Sequence, residues 1–260
     1  MVENKKNLHK NFKGVIFLFL PLFTVVFGVL LWWIVAKIVN LQSIFPSPKE
    51  VFKNFFICFT KLQLYKAVLF TLLRALLTFV LAVVFGFLTC YASSKSEVFK
   101  RCFSPILALL KSIPTMSVIL LFLLWLNEDF VPVAVAFLIL FPLSYEGFNS
   151  AFLSIDDKKI EMLKVFGVSK KQSNKFYVMP TVFTSVLPTL KVWFSLAFKV
   201  VISAEVMAEV GSGIGKLMKL AKADFDAVSL FAYTLFALLI CALVELLISI
   251  IVKEKIHDRN

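Results

Sequence analysis

Ile155-Asp156-Asp157-Lys158-Lys159-Ile160-Glu161-Met162-Leu163-Lys164-Val165-Phe166-Gly167-Val168-Ser169-Lys170-Lys171 runs on to Tyr177-Val178-Met179-Pro180. It is the one long, charged, amphipathic island in an otherwise oily chain. Asp156 and Asp157 favour a helix start, through side-chain capping and the helix dipole. Apolar residues then recur among the lysines at roughly helical spacing. Gly167 permits a turn, and Pro180 marks entry into the next apolar stretch. A short helix, a glycine turn and a second short helix are expected. Amphipathicity alone also fits a helix resting on lipid headgroups.

The flanks of the island decide the class. Apolar residues make up 60% of the 260 positions, where a soluble domain holds about 45–50%. A membrane-crossing helix needs about 20 consecutive, mainly apolar residues. Six such stretches are expected, at 15–38, 67–92, 103–126, 130–152, 182–204 and 228–252. The first is too long for a cleaved leader and lacks a small-residue cleavage site, so it reads as a span. Asn127-Glu128-Asp129 reads as a tight, solvated turn between the third and fourth. The expectation is an all-α integral membrane protein of about six spans. A tail at 1–14 precedes the first span, and an amphipathic extracytoplasmic segment occupies 39–66. The core runs over 67–252 with the island loop at 153–180, and a second tail covers 253–260.

Charge orients these spans. With the N-terminus in the cytoplasm, sixteen Lys and Arg fall inside and eight outside. That is the bias of the positive-inside rule. Both termini and the island are then cytoplasmic. The net charge of +12 is mostly this topological signal. Binding to nucleic acid would require basic residues gathered on one soluble face.

Catalytic and metal chemistry find little material. Cys58, Cys90, Cys102 and Cys241 lack a Cys-x-x-Cys spacing, so they read as reduced fillers. The two histidines, His9 and His257, lie in the tails. No His-Glu-x-x-His or Gly-x-Ser-x-Gly occurs. Gly211-Ser212-Gly213-Ile214-Gly215-Lys216-Leu217 only approaches a phosphate loop: Val210 stands where the first glycine is needed and Leu217 where the hydroxyl is needed. The expectation is a chain that does not hydrolyse ATP and binds no metal.

The island also resembles a known family. Permeases of bacterial ATP-binding-cassette importers carry a cytoplasmic loop of Glu-Ala-Ala, three residues, Gly, nine residues, then Ile-x-Leu-Pro. Here Glu161-Met162-Leu163, three residues, Gly167, nine residues and Tyr177-Val178-Met179-Pro180 keep that spacing. Larger apolar residues replace both alanines. Other segments resemble the nitrate, taurine, sulfonate and thiamine-precursor permeases within the family. These are Ile44-Phe45-Pro46-Ser47-Pro48, Thr71-Leu72-Leu73-Arg74, Ser112-Ile113-Pro114-Thr115, and Ala204-Glu205 followed by Gly213-Ile214-Gly215.

The resemblance implies a six-helix permease of the bacterial inner membrane. Its island would be a coupling helix gripped by a cytoplasmic ATPase dimer through Asp157, Glu161, Met162, Leu163, Gly167, Val168 and Pro180. ATP and magnesium would be bound by that partner, with no cofactor in this chain. A second permease copy, identical or different, and an extracytoplasmic solute-binding protein would complete the assembly within membrane lipid, with no nucleic acid involved. Gly213, Gly215 and Pro114 would be structural turns.

Ionisable residues within spans are functional suspects. Arg74, Lys191 and Lys199, with Glu205 at a span edge, are the expected substrate-path residues; Lys111 also falls inside a span. Lys191 and Lys199 lie about 12 Å apart along a helix. Lysines equally snorkel to headgroups. Arg74 and Lys199 both fall in the outer half of the expected topology, where they either attract an anion or pair with Glu205. The 30 phenylalanines form no confined stripe and read as lipid-facing filler. Two other functions compete. An ion-driven secondary transporter would show inverted repeats and discontinuous helices around midplane charges, and no repeat is visible. A membrane scaffold subunit would use the island only for assembly.

Overall fold

A computed structural model of the chain describes residues 20 and 23–257, with side chains described as far as 253. The expected tail at 1–14 and the start of the 15–38 span lie outside the described residues, as do 258–260. The described chain is all helical. Its elements are α1 (Phe23–Val39), α2 (Pro48–Cys58), α3 (Leu62–Lys95), α4 (Glu97–Ser112) and α5 (Thr115–Trp125). There follow α6 (Val131–Leu153), α7 (Asp157–Val165), α8 (Lys170–Ser173), a π-helical turn (Asn174–Val178), α9 (Met179–Ala208), α10 (Ile214–Ala223) and α11 (Ala227–His257).

Four helical runs are long and apolar enough to cross a membrane: α3, α6, the run Lys170–Ala208 containing α9, and α11. The stretch expected as one span at 103–126 is not a single rod. Its two halves, α4 and α5, meet at 98°. The cause is local: Ile113 (ψ 125°) and Pro114 (ψ 127°) are both extended. A proline drives the residue before it out of the α region and offers no N–H to the preceding turn. Two boundaries also move. Residues 62–66 begin α3 instead of closing the extracytoplasmic segment, and α11 continues to His257 through most of the expected 253–260 tail. Pro132 sits in the first turn of α6, where a missing N–H breaks no helix hydrogen bond.

The core is built on α3, α6 and α9. The buried residues of α3 include Thr71, Ala75, Thr78, Ala82, Gly86, Cys90 and Ser93. Their spacing of three and four residues puts this small-residue stripe on one face. Helices in lipid gain nothing from hiding apolar surface from water, so small residues that allow close approach drive their association. The Ser144 hydroxyl of α6 reaches across to donate to the Ala82 carbonyl, 2.6 Å away. Larger groups fill the remaining space: Phe148 packs at a tilt against Trp193 of α9, and Phe87 meets it edge-on. At the other end, Phe55 of α2 stacks on Phe236 of α11, and Asn54 donates to Ser229. Trp32 of α1 donates to the Pro46 carbonyl and stacks on Phe231.

Candidate functional site

Two places gather the chain's chemistry. The first is the island. Asp156 caps α7, its carboxylate accepting from the Lys158 amide at 3.0 Å. The helix ends in a glycine turn of defined geometry: the Gly167 amide donates to Lys164 and the Val168 amide to Leu163, each at 3.0 Å. This is a Schellman closure, which calls for a left-handed residue after the C-cap. Gly167 supplies it at φ +74°. Ser169 then starts α8 with a reciprocal cap to Gln172, and Pro180 sits in the first turn of α9. The helix, glycine turn and short helix read from the sequence are present.

What the island leaves uncovered matters as much as its backbone. Met162, Val165, Phe166 and Phe176 are exposed, Val165 to 85% and Phe166 to 76%. Lys159, Met162, Leu163, Val168, Gln172 and Tyr177 border a groove of about 420 Å³. Asp157 and Glu161 are exposed beside it. Lys158, Lys159, Lys164, Lys170 and Lys171 have no carboxylate partner among the described residues.

The second place joins α3, α9, α10 and the α5–α6 turn. Glu205 is fully buried. Its carboxylate accepts from Arg74 Nη1 at 2.8 Å, from the Thr71 hydroxyl at 2.9 Å and from the Gly215 amide at 3.0 Å. Thr71 in turn accepts from the Ile214 amide at 2.9 Å. The start of α10 thus points two orphan amides into the cluster, where a helix N-terminus favours negative charge. Arg74 also donates to the Ser212 carbonyl and hydroxyl, and through Nη2 to Asp129 at 2.6 Å. Gly213 has φ +117°, and a Cβ there would stand 2.5 Å from the Glu205 oxygens. At Gly215 a Cβ would stand 2.4 Å from the Glu205 Cβ. Only glycine lets the 209–213 loop close over a buried carboxylate in this way.

The expectation that Arg74 and Glu205 line a substrate path therefore meets a different geometry. Glu205 faces no open space, and its partners are all internal. Together with Gly213 and Gly215, the two residues form a clasp that ties three helices. A buried ion pair is tolerable only when its remaining hydrogen bonds are satisfied, and here they are. Asp129, read as part of a solvated turn, is a member of the clasp. A carboxylate in a short polar turn carries no sequence mark of a partner 55 positions away. Lys191 and Lys199 are not drawn in: both are exposed on α9. Lys191 instead borders a shallow apolar groove with Lys253, between α9 and α11. Lys111 pairs with Glu146 of α6, a partner the sequence reading had not singled out.

A model of the family described as the binding-protein-dependent transport system inner membrane component matches residues 82–256. The chain belongs to this family. It is a multi-pass permease component of an importer of the ATP-binding-cassette class. The taurine transport system permease protein TauC of Escherichia coli (strain K12) is 21% identical over 197 residues, covering 73% of this chain and 71% of the relative. The putative aliphatic sulfonates transport permease protein SsuC of Bacillus subtilis (strain 168) is 21% identical over 233 residues, covering 88% and 84%.

Among solved structures, a bacterial ABC transporter that imports the acidic polysaccharide alginate aligns with a TM-score of 0.64 at 14% identity, over 94% of this chain and 99% of that one. The inward-facing MetNI methionine ABC transporter aligns at 0.64 and 14%, over 74% and 95%. At that identity the likeness speaks for the fold alone. The bent α4–α5 pair is a discontinuous helix, the mark expected of a gradient-driven carrier, yet it occurs in a chain whose family is this permease family.

Proposed function

We propose that this permease is the membrane half of an ATP-driven importer, paired with a second permease copy to enclose the path of a small anionic solute. The chain hydrolyses nothing itself. A cytoplasmic ATPase dimer, holding ATP and magnesium, grips the island and turns the pair from inward-facing to outward-facing. A solute-binding protein then delivers cargo from the far side. In this reading the membrane is the bacterial inner membrane, and both termini and the island lie in the cytoplasm.

The observation that supports this most is the exposed apolar surface of the island. Val165, Phe166 and Phe176 stand open beside a groove at the end of a rigid Schellman turn. A soluble-side surface of this kind calls for a protein partner. Asp157, Glu161, Met162, Leu163, Gly167 and Val168 belong to that contact, and Pro180 carries its motion into α9. Sulfonate-type cargo is supported by the taurine and aliphatic sulfonate relatives. Lys191 and Lys199, exposed on α9, are the cations proposed to meet the solute.

The test is purification of the assembly from native membranes. A stoichiometric ATPase, with ATP turnover stimulated by a sulfonate-loaded binding protein, is the expected result. Reconstituted uptake by this chain alone, driven by an ion gradient, would overturn the reading. One permease sequence in the purified assembly means a homodimer; two mean a heterodimer.

A further inference from the structure

Outside the clasp, one ion pair joins two helices of the apolar region. Lys111, in the last turn of α4, meets Glu146 of α6, and both side chains remain nearly half exposed, at 44% and 47%. Glu146 is fifteen residues from Val131 and seven from Leu153. That puts it about 22 Å from one end of the span and about 10 Å from the other. A glutamate side chain is too short to reach the headgroups from there.

The neighbourhood of the pair is polar as well. Asn149 and Ser150 continue the face of α6 by one turn toward the island, and no side-chain hydrogen bond ties either of them among the described residues. Two residues beyond Lys111 the backbone of the bent pair is broken at Ile113-Pro114. Ser112, Ile113, Pro114 and Thr115 are all exposed. The eleven-residue α5 reaches only about 16 Å, so its first residue lies near the middle of a hydrocarbon layer about 30 Å thick. The leading amides of α5 have no side-chain cap.

Open backbone and exposed charge at this depth are tolerated only against protein or in a water-filled cavity. They are not tolerated against lipid. Nothing in the described chain covers them. From these juxtaposed features we infer that Lys111, Ser112, Thr115, Glu146, Asn149 and Ser150 form one wall of the aqueous translocation path.

This inference rests on the permease reading and locates the path on the α4–α5 break and α6, away from the Arg74 clasp. The chemistry fits passage better than capture. Lys111 and Glu146 neutralise each other, so the wall offers no net charge to trap a solute. The Asn149 amide and the Ser150 and Thr115 hydroxyls can replace lost water around a polar head. Conduction needs binding strong enough to admit a solute and weak enough to release it.

Thiol labelling tests the wall. Thr115→Cys and Ser150→Cys are made singly in the full assembly, with exposed Cys102 replaced by serine and Cys58, Cys90 and Cys241 left buried. Ser154→Cys in the loop, and Val84→Cys and Leu246→Cys on exposed apolar faces of α3 and α11, are the controls. The thiolate is the reacting form and is suppressed in apolar surroundings. A charged, water-soluble methanethiosulfonate should therefore modify Thr115→Cys and Ser150→Cys within about tenfold of the loop control, and the apolar-face controls about a hundredfold more slowly. If both wall positions react as slowly as the controls, the inference is overturned.

Slow labelling combined with oxidative cross-linking of Ser150→Cys between two copies would also overturn it, because the face would then be a dry subunit contact. The two wall positions lie on different helices, so a folding defect in one leaves the other informative. Labelling at rest needs no ATPase. Fast labelling that persists unchanged with ATP and magnesium, in membranes without ATP-driven uptake, leaves the wall standing and sinks the importer reading instead.

Discussion

The clasp and the island are both rich in charge, yet they use it in opposite ways. At the clasp, Glu205 is fully buried and each of its oxygens is met by Arg74, Thr71 or the Gly215 amide. At the island, Asp157, Glu161 and five lysines stand in solvent around bare apolar side chains. The difference lies in where unsatisfied groups are allowed. Within the bilayer, away from a water-filled path, a polar group must find a partner inside the protein, so charge at the clasp welds helices together. Outside the bilayer, water satisfies the charges, and the apolar residues are the ones left uncovered. Charge near a span is thus no guide to function until its partners are known.

Breaking the weld should have the largest effect. Glu205→Ala leaves the Arg74 guanidinium short of its main partner in a buried site. It should cost about 3–5 kcal/mol, seen as a sharp drop in the thermal midpoint of the detergent-purified assembly. A midpoint within a degree or two of the parent would mean that the clasp holds nothing. Gly213→Ala strains a backbone at φ +117° and drives a methyl into the same carboxylate. A loss of about 1–3 kcal/mol is expected by the same measurement, with Gly211→Ala, which meets open space, nearly silent.

The island should respond the other way. Phe166→Ser ought to leave the midpoint unchanged, because the ring is 76% exposed. ATP-driven uptake should fall about tenfold, the equivalent of about 1.4 kcal/mol of lost docking. A stability loss without an uptake loss would erase the contrast between the regions. Smallest of all is Asp129→Asn at the open rim of the clasp. With a carboxylate half in water, about 0.5 kcal/mol is expected, and less in high salt. A cost near that of Glu205→Ala would make the rim as essential as the buried centre.

Much of the architecture could be read from residue order. Lipid imposes length and hydropathy on its spans so strongly that four of the six expected stretches, 67–92, 130–152, 182–204 and 228–252, correspond to helices of spanning length with ends shifted by a few residues. The described part of 15–38 is helical over Phe23–Val39. The island was equally legible, since Asp156, Gly167 and Pro180 act through local rules of capping and turn chemistry. The resemblance marked Pro114 as a turn, but the 98° break across the expected 103–126 span was not legible, because a hydropathy window averages over Ile113-Pro114 and a single proline can either kink a helix or end it.

The sequence left Arg74 two readings, an anion or Glu205, and only the tertiary structure decided between them and supplied the other partners. Arg74 reaches Glu205 across 131 positions and Asp129 across 55. Lys111 finds Glu146 across 35. An isolated arginine or lysine in an apolar run reads the same whether it faces solute, lipid headgroup or carboxylate. Which of these it meets depends on how neighbouring helices approach, and that is governed by the small-residue face of α3 and the glycines over Glu205. Composition and spacing dictated spans and turns because those obey forces within a few residues. The partners of the membrane charges came from long-range packing, which no local pattern encodes.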